Sequence, residues 1–243
     1  MEDDFKVANK TSVGKFLFNI LIVSLTITVL GYAINFYFAA GYLLVLAVHE
    51  MGHYAAARRL NVKVLFGGFT PFGAYIVHEE TNSCRENAII ALGGPCFGGL
   101  LGLAYYLVYS LTGESTYIAL SFISVILNLA NLIPVKPLDG GHVAEAISPI
   151  LCYMGFPFLL YMLATTQRLK AKILLSLVLM FGAYQAYVFT KKYKKDPYFH
   201  IARNAKFRFT AFYFMLLSAL AASALYFYSM QNLDELIAAI SKR

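Results

Sequence analysis

The sequence predicts an all-α polytopic membrane protein of six to seven transmembrane helices, with a small membrane-associated β-hairpin between the second and third. Three observations predict it. Of 243 residues 59% are hydrophobic and only 14% charged, a balance foreign to soluble domains. The apolar residues gather into runs close to the ~20 residues that a spanning helix needs. Between the second and third runs lies a stretch, Asn61 to Glu86, whose β-prone residues and glycines follow no helical period.

The apolar runs are Phe16–Phe36, Ala39–Ala57, Asn87–Leu111, Thr116–Ile133, Ile150–Thr165, Ile173–Phe189 and Phe209–Met230. The fifth is short and carries Pro157, so it either spans or forms a tilted or re-entrant piece, which sets the count at seven or six. The polar N-terminus reads as the lead into a retained first span rather than a cleaved signal. Residues 232–243 read as a short amphipathic tail. The whole chain, 1–243, is expected to form one membrane domain.

The net charge of +7 comes from 20 Lys and Arg against 13 Asp and Glu. Those residues lie in loops between apolar runs, so they report topology and do not imply a nucleic acid partner. If every run crosses, a cytoplasmic N-terminus leaves only Arg168, Lys170, Lys172, Lys242 and Arg243 outside. This places the protein in the cell membrane as a multi-pass protein with its N-terminus cytoplasmic. The loop Lys191 to Lys195 suits anionic headgroups. Cys84, Cys96 and Cys152 are widely spaced and give no disulfide framework.

Within Phe16 to Ala57 the ionisable groups other than tyrosines are His49, Glu50 and His53. Such groups are costly in an apolar run unless something pairs with them. Residues four apart share a helix face, so both imidazoles can point at one ion, with Glu50 beside them. This is the H-E-x-x-H arrangement, in which two histidines hold Zn²⁺ and the glutamate is the general base. A catalytic zinc takes a third protein ligand and keeps one open position.

The best candidate for that ligand is Asp139, which follows the fourth run on the side of the His49–His53 end. Two neutral histidines, one carboxylate and one hydroxide neutralise a single Zn²⁺, a composition that an apolar surround tolerates. Pro134 and Pro137 interrupt the helix, and Gly140 and Gly141 are expected to make sharp turns that present Asp139 inward. A capping Asp at the membrane surface is the plainer reading of Asp-Gly. Asn131 is either a donor to the oxyanion or a helix-to-helix bridge. His78 and His142 are expected to be structural or rim residues. The run Gly93-Gly94-Pro95-Cys96-Phe97-Gly98-Gly99 serves close helix packing or the site.

At these residues the sequence resembles the site-2 protease family of intramembrane zinc metalloproteases. The resemblance rests on His49-Glu50-Met51-Gly52-His53, on Asn131-Leu132-Ile133-Pro134 continuing through Pro137-Leu138-Asp139-Gly140-Gly141, and more weakly on Gly94-Pro95 with Gly98. It covers a catalytic core of about residues 39–142. It implies one zinc on His49, His53 and Asp139, Glu50 as catalytic base, and Asn131 at the substrate site. It further implies cleavage of peptide bonds in or near membrane-spanning segments of other membrane proteins, as in regulated intramembrane proteolysis. No PDZ or CBS domain is evident, and Gly98 stands where some relatives carry a polar residue. The hairpin then gains a role, because an unwound substrate could add as a strand along Ala74, Tyr75, Ile76 and Val77. A metal-ion or solute transporter and an inactive scaffold are the rival classes. A transporter would spread polar residues over several spans, whereas here two motifs hold them.

Overall fold

The structure is a computed structural model that describes residues 13–70 and 73–230. The expected tail at 232–243 and the N-terminal residues 1–12 lie outside the described residues. The described elements are α1 (Val13–Ala33), α2 (Phe36–Arg59), β1 (Val64–Thr70), β2 (Gly73–His78), α3 (Cys84–Thr112), α4 (Ser115–Asn131), α5 (Asp139–Ile147), α6 (Pro149–Thr165), α7 (Leu169–Lys192) and α8 (Arg203–Met230), with a 3-10 turn at Pro197–Phe199. Three of these, α3, α7 and α8, are long and apolar enough to cross a membrane, and Leu17–Ala33, α4 and α6 are shorter apolar helices. The chain divides into two compact units, Met1–Glu80 with Gly93–Leu129 and Ser218–Arg243, and Thr81–Leu92 with Ala130–Leu217.

In the first unit α2 has well-defined ends. The Asn35 side chain accepts from Phe38 N at 2.7 Å, satisfying a donor of the first turn. At the other end Asn61 takes φ 57°. Its N–H donates to Arg58 O at 3.1 Å and that of Val62 to Ala57 O at 3.0 Å, closing the helix as a Schellman motif.

The hairpin that follows is antiparallel, pairing Val64 with His78 and Phe66 with Ile76, and then Gly68 with Tyr75. Gly67 is thus an extra residue, a bulge. Gly68 has φ +126°, a conformation that only glycine adopts readily. From α1, Asn19 Oδ1 accepts the Phe69 N–H at 2.8 Å, filling a hydrogen-bond position on β1 that β2 does not supply. At the hairpin base Lys63 and Glu79 pair at 2.9 Å. The hydrogen bond to that carboxylate, and its charge, hold the Lys63 ammonium above the usual lysine range.

Helices α3 and α4 pack through small residues. Ser121 Oγ donates to Gly102 O and Ser124 Oγ to Gly98 O, both at 2.7 Å. Each such bond between apolar helices contributes roughly 0.6 kcal/mol, and the glycines let the backbones come close enough to form them.

The second unit is organised around the segment between α4 and α5. Val135 is 2% exposed. A Cβ at Gly155 of α6 or Gly182 of α7 would run into its side chain, so both helices close directly over it. The buried Tyr213 hydroxyl donates to Leu132 O from α8. Lys136 and Glu145 pair at 2.8 Å with side chains 20% and 8% exposed, tying the segment to α5. Removing one member of such a pair is far costlier than removing both, because it strands a buried charge.

One expectation is corrected here. Gly140 and Gly141 do not make turns; they lie in the first turn of α5, which begins at Asp139. Added Cβ atoms there would strike Leu132 O and Lys136 N respectively, so these glycines are needed for backbone packing rather than for turning. Helix α6 runs through Pro157. His142 Nδ1 meets the Asn87 amide nitrogen at 2.9 Å and His78 Nδ1 donates to Glu79 O at 2.7 Å.

Candidate metal centre

His49, Glu50 and His53 lie in mid-to-late α2, one helical turn apart, and are 6%, 9% and 7% exposed. One ligand atom from each falls within 4.8 Å of the others. The two Nε2 atoms are 3.1 Å apart. Two nitrogens on one tetrahedral zinc, each about 2.05 Å from the ion, sit about 3.3 Å apart. The pair is hydrogen-bonded in this structure, His53 Nε2 donating to His49 Nε2, at a separation that also suits a chelate.

The His49 tautomer follows from its neighbour on α4. The Asn128 amide nitrogen donates to Ser124 O at 2.7 Å, which turns its oxygen toward His49 Nδ1 at 2.8 Å. A carbonyl oxygen can only accept, so Nδ1 carries the ring proton and Nε2 keeps its lone pair. This is the carbonyl-to-histidine support that metal-ligating imidazoles use. Asn128 is fully buried, and a Cβ at Gly98 would collide with its amide. Gly98 is thus the space that Asn128 occupies.

His53 is held from α3. Its Nδ1 accepts the Gly94 N–H at 3.3 Å. A cation at His53 Nε2 requires the ring proton on Nδ1 and gives up that bond. The approach that brings Gly94 so near is a crossing of bare backbones. A Cβ on Gly52 would strike Gly93 O, and one on Gly93 would strike Gly52 O. A Cβ on Gly94 would enter the His53 ring at Nε2 and lie 2.7 Å from His49 Cε1. Glycine at 52, 93 and 94 is what lets two imidazoles share one space.

The structure thus brings together His49, Glu50 and His53 and adds Asn128, which the sequence reading did not single out. No local pattern in the sequence marked it. Asn131 is the last residue of α4, and Asp139 the first of α5 in the second unit. Ala74, Tyr75, Ile76 and Val77 form the middle of β2. Replacing Asn128 by Leu keeps the forked heavy-atom shape of the side chain and removes the acceptor. Zinc affinity is expected to fall about 10- to 100-fold, read by competition with a chromophoric chelator, and an unchanged affinity contradicts the support role.

The profile of Peptidase family M50 matches residues 37–116 and 109–152, a range that holds both motifs and the Gly94-Pro95 turn of α3 between them. Over that range the chain resembles this family, the site-2 proteases. Among curated relatives, a zinc metalloprotease of Methanocaldococcus jannaschii is 28% identical over 105 residues, 41% of this chain and 31% of its own. Stage IV sporulation protein FB of Bacillus subtilis is 26% identical over 150 residues, 60% of this chain and 49% of its own. The chain thus spans about a third to a half of these relatives. Among solved structures, Site-2 Protease from Methanocaldococcus jannaschii is 19% identical with a TM-score of 0.45, over 76% of this chain and 90% of that one.

Proposed function

We propose that this chain is an intramembrane zinc metalloprotease that hydrolyses peptide bonds within or near the transmembrane segments of other membrane proteins. The observation that carries the reading is the 3.1 Å approach of two imidazole nitrogens, one with its lone pair fixed by Asn128, beside a buried glutamate. Two nitrogen donors and carboxylate chemistry are the donor set that zinc takes. His49 and His53 hold the ion, and Asp139 is the third ligand. Its support is the neutral charge balance it gives and the fixed segment from Leu132 to Lys136 that leads into it.

When bound, the ion lowers the pKa of water toward about 7 and polarises the scissile carbonyl. Glu50 takes the proton from the attacking water and gives it to the departing nitrogen, so the carboxylate is regenerated in each turnover. Asn131 donates to the oxygen on which charge develops. The substrate, freed from its own helical hydrogen bonds, is held as a strand along Ala74 to Val77.

The chain acts as one catalytic domain. Its six to seven spans are α1, α2, α3, α4, α7 and α8, with α6 the seventh. The N-terminus faces the cytoplasm from the cell membrane, as the placement of Lys and Arg favours.

The test is cleavage of a labelled single-pass membrane protein by the full chain in proteoliposomes. Cleavage should stop on zinc chelation and return when zinc is restored; cleavage indifferent to chelation removes the reading. Prolines at edge positions of Ala74 to Val77 should abolish cleavage with zinc retained, and unchanged cleavage removes the strand-addition role.

A further inference from the structure

We infer that the buried ion pair between Lys136 and Glu145 is a positioning device for Asp139, holding the first turn of α5, and with it the Asp139 carboxylate, in one orientation. The inference rests on the reading of Asp139 as the third zinc ligand. The two members of the pair bracket that residue in sequence, and their contact at 2.8 Å closes the chain around it.

The first turn of α5 needs such support. The helix has only nine residues, Asp139–Ile147, and its N-cap, Leu138, makes no side-chain hydrogen bond to the first turn. Helices this short are unstable without tertiary contacts, and an uncapped end leaves backbone N–H groups without side-chain partners. The backbone bond from the Gly141 N–H to Leu138 O, at 3.0 Å, closes the turn but ties it only to its own neighbour. Glu145 does not stabilise the helix by itself. It lies in the last turn of α5, where the helix dipole disfavours an acidic side chain, and with its side chain 8% exposed it has given up most of its water. Its place is explained by the residue it meets. Lys136 belongs to the segment between α4 and α5, which is fixed from several sides. Val135 lies under Gly155 of α6 and Gly182 of α7, and Leu132 O is bonded by Tyr213. The pair thus moors a short, uncapped helix to a rigid base.

The surroundings hold little that could replace either member. Burial pushes the Glu145 carboxyl above the usual carboxylate range, and the Lys136 ammonium beside it draws it back. The cavity next to the pair, lined also by Cys152 and Gln185, has a volume of about 10 Å³, room for about one water. One water does not replace an ammonium. Loss of one member strands the charge of the other, whereas loss of both leaves an apolar contact that supports the fold. Such a contact has no preferred direction, so it does not restore the geometry that a charge-assisted hydrogen bond sets.

The experiment measures two quantities on each purified full-chain variant: zinc affinity, by competition with a chromophoric chelator, and the thermal unfolding temperature with zinc removed. Lys136→Met and Glu145→Leu should each lower both. The two substitutions combined should return the unfolding temperature to the native value, because no charge is stranded. Zinc affinity should stay about 10-fold below native in that combined variant, the scale on which groups that orient a ligand act. Native affinity in the combined variant overturns the inference, since the pair then serves stability alone. A combined variant that stays low in both quantities also overturns it, since the pair then supports the fold as a whole. Asp139→Asn, measured alongside, separates the two claims. If it keeps native zinc affinity, the ligand reading fails and takes the inference with it. If it loses zinc while the combined variant binds zinc as the native chain does, the inference alone fails.

Discussion

Glu50→Gln is expected to lower cleavage by about 10²- to 10⁴-fold while leaving bound zinc in place. The substitution keeps size and hydrogen bonding but removes the basic carboxylate, so it deletes proton transfer without deleting a nitrogen ligand. Glu50 is 9% exposed and shares its surroundings with His49 and His53, which leaves little room for bulk water to substitute as base. The check is a paired measurement of cleavage rate and metal content on the same preparation. A variant that cleaves at the native rate removes Glu50 from the mechanism. One that loses zinc as well shows instead that the carboxylate holds the site together.

Gly94→Ala is expected to have the second largest effect, although it adds one methyl group at a position with no chemistry of its own. Its Cβ would enter the His53 ring and press on His49 Cε1. Close-packed interiors absorb such a conflict by moving side chains off their rotamers. Here the side chains that must move are the proposed ligands. Zinc affinity should fall about 100-fold, the scale on which lost ligand orientation acts, with a comparable loss of cleavage. Gly99→Ala is the control from the same glycine run, since among the described residues its Cβ meets only the flexible Leu220 Cδ2, at 3.0 Å. It should keep both zinc and activity. Equal behaviour of the two variants contradicts the packing account of Gly94.

Much of this was legible in the sequence because the membrane imposes a simple rule. Backbone groups in lipid must bond within their own segment, so long apolar runs became helices with ends within about six residues of those expected. The hairpin was legible from Val64 to Phe66 and Ala74 to Val77, but its length was not. Gly67 and Gly68 read as breakers, whereas the strand continues through them by a bulge and a left-handed residue that Asn19 supports. The H-E-x-x-H face was legible because helical spacing alone converges its side chains.

Asn128 was not legible. Its value depends on facing His49 across two helices, a relation no local pattern encodes, and Asn131 offered the same residue type one turn away. Gly52 sat unread in the middle of the motif, because its role is a contact with Gly93 on another helix. Helix α5 was hidden for a related reason. Paired glycines preceded by two prolines signal a turn, and only the tertiary approach to Leu132 and Lys136 reveals that they serve helix packing.

The account turns on whether His49, His53 and Asp139 together hold one zinc. The most direct measurement is metal stoichiometry on the purified full chain, comparing native protein with Asp139→Asn and Glu50→Gln. The account predicts about one zinc per chain in the native protein and in Glu50→Gln, and a deep loss in Asp139→Asn, as a three-ligand site requires. Full zinc in Asp139→Asn would contradict it and move the third ligand elsewhere.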